Sequence, residues 1–338
     1  MIAASQPVQR PRDARLLVVD AGGNLTQGPR AEWTERLRPG DLVVANDAAT
    51  LPASLHGTHL ASGAPIEVRL AGRASLAPDD VSFSAVVFGA GDWRMRTEER
   101  SSPPPLAFGE RLALGPLTAS VRGHLGHPRL IALDFAGEAS AVWAGIARHG
   151  RPIQYAYMRE ALALWDVWTP IAAQPVAFEA PSAGFTLDWR SLERLRSRGV
   201  GFATITLAAG ISSTGDPALD ARLPLDEPYR VPAAAAAAIR SAKAHGGRII
   251  AIGTTVVRAL EHSGGAAGVG LADQRIGAGT RLRVVDAIVS GTHEPQESHY
   301  QLLRAFQDAA TLARASAELE ARGYRTHEFG DSVLVERR

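Results

Sequence analysis

Short apolar runs recur along the chain, and most are followed by a stretch with helical spacing. Residues 16–19 (Leu-Leu-Val-Val), 42–45, 201–207 and 249–252 read as strands. Helices are predicted around 192–198, over 232–245 and over 300–322, with a last strand at 332–335. Six consecutive alanines after Pro232 reflect helix propensity, with proline in the first turn. Between about 54 and 139 the pattern changes to alternation, as in Ile66-Glu67-Val68-Arg69-Leu70 and Leu117-Thr118-Ala119-Ser120-Val121, broken by Gly and Pro. The run Ser101 to Pro105 is expected to be an exposed loop, because consecutive prolines cannot donate to a ladder.

These periods predict an α/β protein with a mostly parallel sheet, interrupted by a small antiparallel β-barrel domain. The expected boundaries are a flexible tail at 1–12, a main α/β domain made of 13–53 and 140–338, and the inserted barrel at 54–139. The Gly- and Ala-rich segment 264–279 reads as a mobile loop able to close over a ligand.

Composition narrows the function. With 36 basic and 35 acidic side chains in 338 residues, the net charge of +1 carries no global mark of nucleic-acid binding, although a local basic face is compatible with it. The absence of cysteine removes disulfides, thiolate metal sites and thiol nucleophiles. No apolar run is long enough for a membrane helix and the start lacks a secretory signal, so a cytoplasmic protein without membrane contact is expected. There is no P-loop or dinucleotide fingerprint, and the ten histidines show no ligand spacing beside a carboxylate, so no metal is expected.

The most informative segment is Gly246 to Glu261, where an apolar strand turns through Gly253-Thr254-Thr255 into a helix. Free N–H groups at such a turn suit an anionic or polar ligand group. Arg258 and Glu261, three residues apart, can pair with each other or hold a substrate. A plain helix cap with an Arg–Glu pair fits the same residues. Asn46-Asp47, just past a strand, belongs either to a crevice or to an Asx turn. Ser182 and Gly184, in Pro-Ser-Ala-Gly, allow close backbone approach. Glu227, His293 and Asp47 are the acid/base candidates, while Asp286 and Asp331 fit strand-end carboxylates paired to backbone amides.

Taken together, Arg38 to Asp47, Ala180 to Phe185, Gly246 to Glu261, Val284 to Val289 and the ending Gly323 to Asp331 resemble the S-adenosylmethionine:tRNA ribosyltransferase-isomerase family of queuosine biosynthesis, in order and spacing from about residue 35 onward. His293 matches a family histidine. The chain departs from the family pattern at Ala49 and Ser54, where arginines are usual, and at Thr186 and Ala208, where histidines are usual.

The resemblance implies that S-adenosylmethionine donates its ribosyl moiety, as a co-substrate and with no tightly bound cofactor. The acceptor would be 7-aminomethyl-7-deazaguanine in tRNA; the products would be epoxyqueuosine-tRNA, adenine and methionine. It implies a nucleoside or methionine pocket at Gly253, Thr254, Thr255, Arg258 and Glu261, with Asn46, Asp47, Glu227 and His293 around the reacting centre. Two alternatives remain open: a small deazapurine-type acceptor in place of tRNA, or a silent binding homologue. A monomer is expected.

Overall fold

Four of the apolar runs meet in one nine-stranded sheet. In the computed structural model, which describes residues 1–338, the strand order is Gly268–Ala272, Glu227–Val231, Gly201–Leu207, Leu42–Asn46, Ile249–Ile252, Ala287–Gly291, Ser332–Glu336, Arg15–Val19, Leu25–Pro29. Leu42–Asn46 lies parallel between Gly201–Leu207 and Ile249–Ile252, and Ala287–Gly291 extends this parallel centre. Both faces of these strands are covered, which is why they read as continuous apolar runs rather than as alternation. Antiparallel pairings flank the centre, so the sheet is mixed.

The alternating region closes into a six-stranded antiparallel barrel of Ser54–His59, Pro65–Gly72, Ser82–Phe88, Arg111–Leu114, Leu117–His127 and Leu130–Phe135. Its core is continuous with that of the main sheet: Leu70, Phe83 and Leu133 belong to the same buried cluster as Val44, Ala251 and Ile288. Phe83 meets Phe178 edge-on at 6.1 Å across the junction. The barrel is therefore packed onto the sheet rather than tethered to it.

Three expectations change. Residues 1–12 are not a free tail: Ile2–Ala3 pairs with Arg325–Thr326, and the Gln9 amide donates to the carbonyls of Trp165, Asp166 and Trp168. Such long-range tethers leave no local period to read. Part of the supposed mobile loop at 264–279 is the edge strand Gly268–Ala272, ordered by pairing with Glu227–Val231. The helix expected over 300–322 is two helices, Ser298–Leu303 and Ala309–Ala321. The break is set by Asp308, whose carboxylate caps the Thr311 N–H at 2.8 Å, and by Gln307, whose amide donates to the carbonyls of Asp20 and Glu336. No helix is long and apolar enough to cross a membrane.

Candidate active site

The carboxyl ends of the parallel strands converge on one edge of the sheet, where α/β proteins place their ligands. Here lie Asn46-Asp47, the 208–214 loop after Gly201–Leu207, Gly253 to Thr255, and Ser290 to His293. The start of Ser332–Glu336 joins them, because it runs antiparallel to Ala287–Gly291. The barrel closes one side: a side chain at Gly210 would meet the Ala71 carbonyl at 2.9 Å.

Asn46 and Asp47 are at this edge, but their side chains tie strands together. Buried Asn46 donates to the Leu207 carbonyl at 2.9 Å and accepts from the Leu207 N–H at 3.0 Å and the Ala48 N–H at 3.1 Å. Asp47 accepts from the Thr206 hydroxyl at 2.7 Å. Asn46 is thus fully engaged by the backbone, and the turn reading applies to it.

Gly253 precedes the Thr254–Ser263 helix with φ 91° and ψ 158°, in a region essentially reserved for glycine, and no side chain caps that helix start. The first N–H groups of the helix have no carbonyl one turn back. The Ser182–Thr186 turn sits directly against this start, since a Cβ at Gly253 would lie 3.3 Å from Ala183. Gly184 is equally required, because a Cβ there would be 2.9 Å from Thr169. Ser182, Gly184, Gly253, Thr254 and Thr255 therefore form one two-turn wall. Gly253→Ala is expected to lower stability by about 1–3 kcal/mol from backbone strain and to weaken whatever the wall binds; thermal unfolding and ligand titration of the variant check both.

Arg258 and Glu261 do not pair with each other, and the structure gives both a framework role. Arg258, buried, forms an ion pair with Glu227 and donates to the carbonyls of Leu225 at 3.3 Å and Ala272 at 2.6 Å. Glu261 accepts the N–H groups of Arg283, Val284 and Val285 at 2.8, 2.9 and 2.8 Å. Three backbone bonds hold the carboxylate to that loop. The expectation of a ligand-binding pair misses this because the partners lie 14 to 33 residues away in sequence. Burial pushes the Glu227 carboxyl up; the Arg258 guanidinium and the Gly210 N–H oppose this without cancelling it. Through Gly210, Glu227 also fixes the 208–214 loop, at 2.8 Å.

His293 stands over the strand end with both ring nitrogens engaged: Nδ1 with Glu297 at 3.0 Å and Nε2 with the Ser290 hydroxyl at 3.3 Å. The carboxylate selects the tautomer with the proton on Nδ1, leaving Nε2 as the proton acceptor. Against burial, the bond from His293 and the neighbouring histidines hold Glu297 below the usual carboxylate range. His299 stacks on His293 at 4.6 Å and 12°. Burial, and then the nearby His293, lower its pKa to about 3, so it stays neutral.

The sequence reading found no histidine pair beside a carboxylate. The fold makes one, since ligand atoms of His293, Glu297 and His299 lie within 4.8 Å of one another. The two rings stack nearly parallel, and Glu297 holds Nδ1 of His293 at 3.0 Å.

A second proton-carrying group was missed entirely. The Tyr155 hydroxyl donates to Glu179 and sits 3.0 Å from the Ser213 carbonyl, while Glu179 accepts the Ser212 N–H at 3.0 Å. Burial, reinforced by the Glu328 charge, pushes the Glu179 carboxyl up to about 7, although those two hydrogen bonds pull the other way. Tyr157 stacks on Tyr155 at 5.8 Å and on His327 at 4.3 Å, and donates to Glu328 at 2.6 Å. His327 is the one non-glycine residue with positive φ, 68°. The aromatic pair Tyr155-Ala156-Tyr157, which forms a turn closed by the Met158 N–H on the Tyr155 carbonyl at 3.0 Å, was the available signal; nothing local linked it to Glu179 or His327.

The site thus runs from His293 and Glu297 through Arg258–Glu227 and the 208–214 loop to Glu179, Tyr155, Tyr157 and His327. A separate cleft of about 830 Å³, lined by Arg281, Arg283, Arg304, Arg337 and Arg338 among others, lies at the opposite edge of the sheet. It shares none of these residues.

An α/β sheet carrying an inserted barrel, with buried titratable groups gathered at the carboxyl ends of its parallel strands, has the make-up of an enzyme site. The family model described as queuosine biosynthesis protein matches residues 1–335, and the chain belongs to that family. Two relatives named S-adenosylmethionine:tRNA ribosyltransferase-isomerase show how far the likeness extends. That of Anaeromyxobacter dehalogenans is 35% identical over 355 residues, covering 100% of this chain and 96% of its own. That of Citrifermentans bemidjiense is 31% identical over 345 residues, covering 99% and 96%. The crystal structure of an S-adenosylmethionine tRNA ribosyltransferase from Thermotoga maritima, 26% identical, superimposes with a TM-score of 0.52 over 98% of this chain and 96% of that one.

Proposed function

We propose that this protein is an S-adenosylmethionine:tRNA ribosyltransferase-isomerase acting in the cytoplasm. It transfers and isomerises the ribosyl moiety of S-adenosylmethionine onto 7-aminomethyl-7-deazaguanine in tRNA, releasing adenine and methionine and leaving epoxyqueuosine. The observation that carries this reading is the pair of separately held proton carriers, His293–Glu297 and Glu179–Tyr155, in one crevice of a full-length family member.

The reaction needs a base for the proton on the carbon beside the sulfonium. It also needs a proton for adenine as its C–N bond breaks, and a pocket that excludes water. Nε2 of His293 takes the first role and Glu179, protonated near neutral pH, the second. The Gly253 to Thr255 turn, with Ser182 and Gly184 beside it, receives the methionine carboxylate on free N–H groups. Asp47 and Glu227 hold the strand ends and loop that set these groups in place.

The second reading, a small deazapurine-type acceptor, is favoured by Ala49 and Ser54. Ala49 is buried, and Ser54 bonds Glu67 at 2.7 Å, so neither offers a phosphate contact. One assay separates the readings: purified protein is incubated with S-adenosylmethionine and either tRNA bearing the 7-aminomethyl base or the free nucleoside. Adenine and methionine release with a matching mass gain on tRNA is the expected result. Gain on the nucleoside alone would select the second reading, and release in neither would leave a silent binder.

A further inference from the structure

Three of the six tryptophans are exposed: Trp165 by 74%, Trp168 by 42% and Trp189 by 85%. Indoles this open are costly to leave in water, since tryptophan ordinarily buries most of its large apolar surface. Their backbones are tied to one segment. The Gln9 amide bonds the carbonyls of Trp165 and Trp168, both at 3.0 Å, and the next residue, Arg10, reaches the Leu187 carbonyl at 3.5 Å, two residues before Trp189.

The cluster adjoins the crevice. Thr169, next to Trp168, packs on Gly184 of the ligand-binding wall. Trp189 opens the helix that leads back to the start of Gly201–Leu207, which places it at the same sheet edge as the active site. Met158 and Leu162, between Tyr157 and Trp165, pack with Phe185 and Phe329, so the site's aromatic stack and the tryptophans share one support.

Charges of both signs line this face: Glu160, Asp166 and Asp188 stand beside the arginines, the last two turned to backbone N–H groups of Ala163 and Ser191. Arg10, Arg159 and Arg190 are exposed and none is in an ion pair, although the whole chain carries only +1. Flat indole faces among unpaired guanidiniums match bases flanked by phosphates. Trp and Arg are also the residues of protein interfaces, so RNA is chosen over a second copy of this chain on the strength of the tRNA reading, and single strands over a duplex because a duplex hides its base faces.

We propose that Trp165, Trp168 and Trp189 form a stacking platform for unpaired RNA nucleotides next to the base being modified, with Arg10, Arg159 and Arg190 along the phosphates. The proposal rests on the tRNA reading and assigns this rim as the place where the single-stranded loop is held. Trp168 also donates from its indole to the Thr50 carbonyl at 2.9 Å, so part of its role is anchoring. The indole N–H groups of Trp165 and Trp189 have no protein partner.

The test uses the full chain and binding alone, independent of turnover: fluorescence anisotropy of a labelled anticodon stem-loop hairpin carrying an ordinary guanine. Trp165→Ala and Trp189→Ala are each expected to weaken hairpin binding about 10-fold or more. Their Phe counterparts should keep most of it, blunt RNA duplex binding should be unchanged, and S-adenosylmethionine affinity should stay at the wild-type value, which also reports folding. Alanine variants that bind the hairpin like wild type would overturn the platform even if tRNA modification is intact. So would a wild-type protein that ignores the hairpin, or one that is dimeric in solution and becomes monomeric on Trp189→Ala.

Discussion

Glu179→Gln is expected to lower turnover 10²–10⁴-fold, the usual contribution of a positioned acid or base, and to remove from the kcat/KM profile a limb near pH 7. The amide keeps the size, and its oxygen can still accept the Ser212 N–H while its NH2 faces the Tyr155 hydroxyl, which can turn to accept, but it cannot carry the proton. A variant within a few-fold of wild type would remove Glu179 from the mechanism.

Stability should move with pH at the same residue. The carboxyl sits at about 7 in the fold against an ordinary value of 4.5, so between these values the folded chain holds a proton that the unfolded chain has released. Stability therefore falls as pH rises through this window. The penalty is complete above pH 7 and is at most about 3 kcal/mol, less to the extent that the crevice admits water. Glu179→Gln escapes it, so its melting temperature relative to wild type should rise from pH 5 to pH 8.

Arg258→Ala is expected to cost about 3–5 kcal/mol, because buried Glu227 loses its counter-charge and must either stay ionised unpaired or take up a proton, and the carbonyls of Leu225 and Ala272 lose a donor. The denaturant midpoint should fall accordingly. Arg258→Met combined with Glu227→Gln should recover much of the loss by removing both charges together. Arg258→Lys should not, because an ammonium cannot span the carboxylate and carbonyls that the planar fork reaches at once. A wild-type midpoint for Arg258→Ala would return Arg258 to the ligand pocket.

The contrast between these two residues shows how far the sequence could be read. Arg258 stood out because it follows a recognisable strand–turn–helix, yet its partner Glu227 comes from a strand 31 residues earlier. Its role as an internal brace follows from that pairing. Glu179 drew no attention because a lone carboxylate after a short strand looks like any surface acid. Only its burial in the fold, with the Glu328 charge nearby, raises its affinity for a proton, against the hydrogen bonds from Tyr155 and Ser212. His293 was legible through its match to the family, whereas Glu297 and His299 were not. Asp331 behaved as expected of a strand-end carboxylate, accepting the N–H groups of Arg15 and Arg325 at 2.8 Å each.

By itself the sequence determined the α/β architecture, the inserted barrel, the glycine turns and the family, because these are written in local periods, backbone requirements and motif order. Tertiary structure alone decided which polar groups brace the sheet and which face the crevice. It tied down the first dozen residues, turned part of 264–279 into a strand, and split the last long helix. The physical reason is the same in each case: burial, pairing and proton affinity depend on groups brought together from distant parts of the chain, and no short window of residues contains both partners.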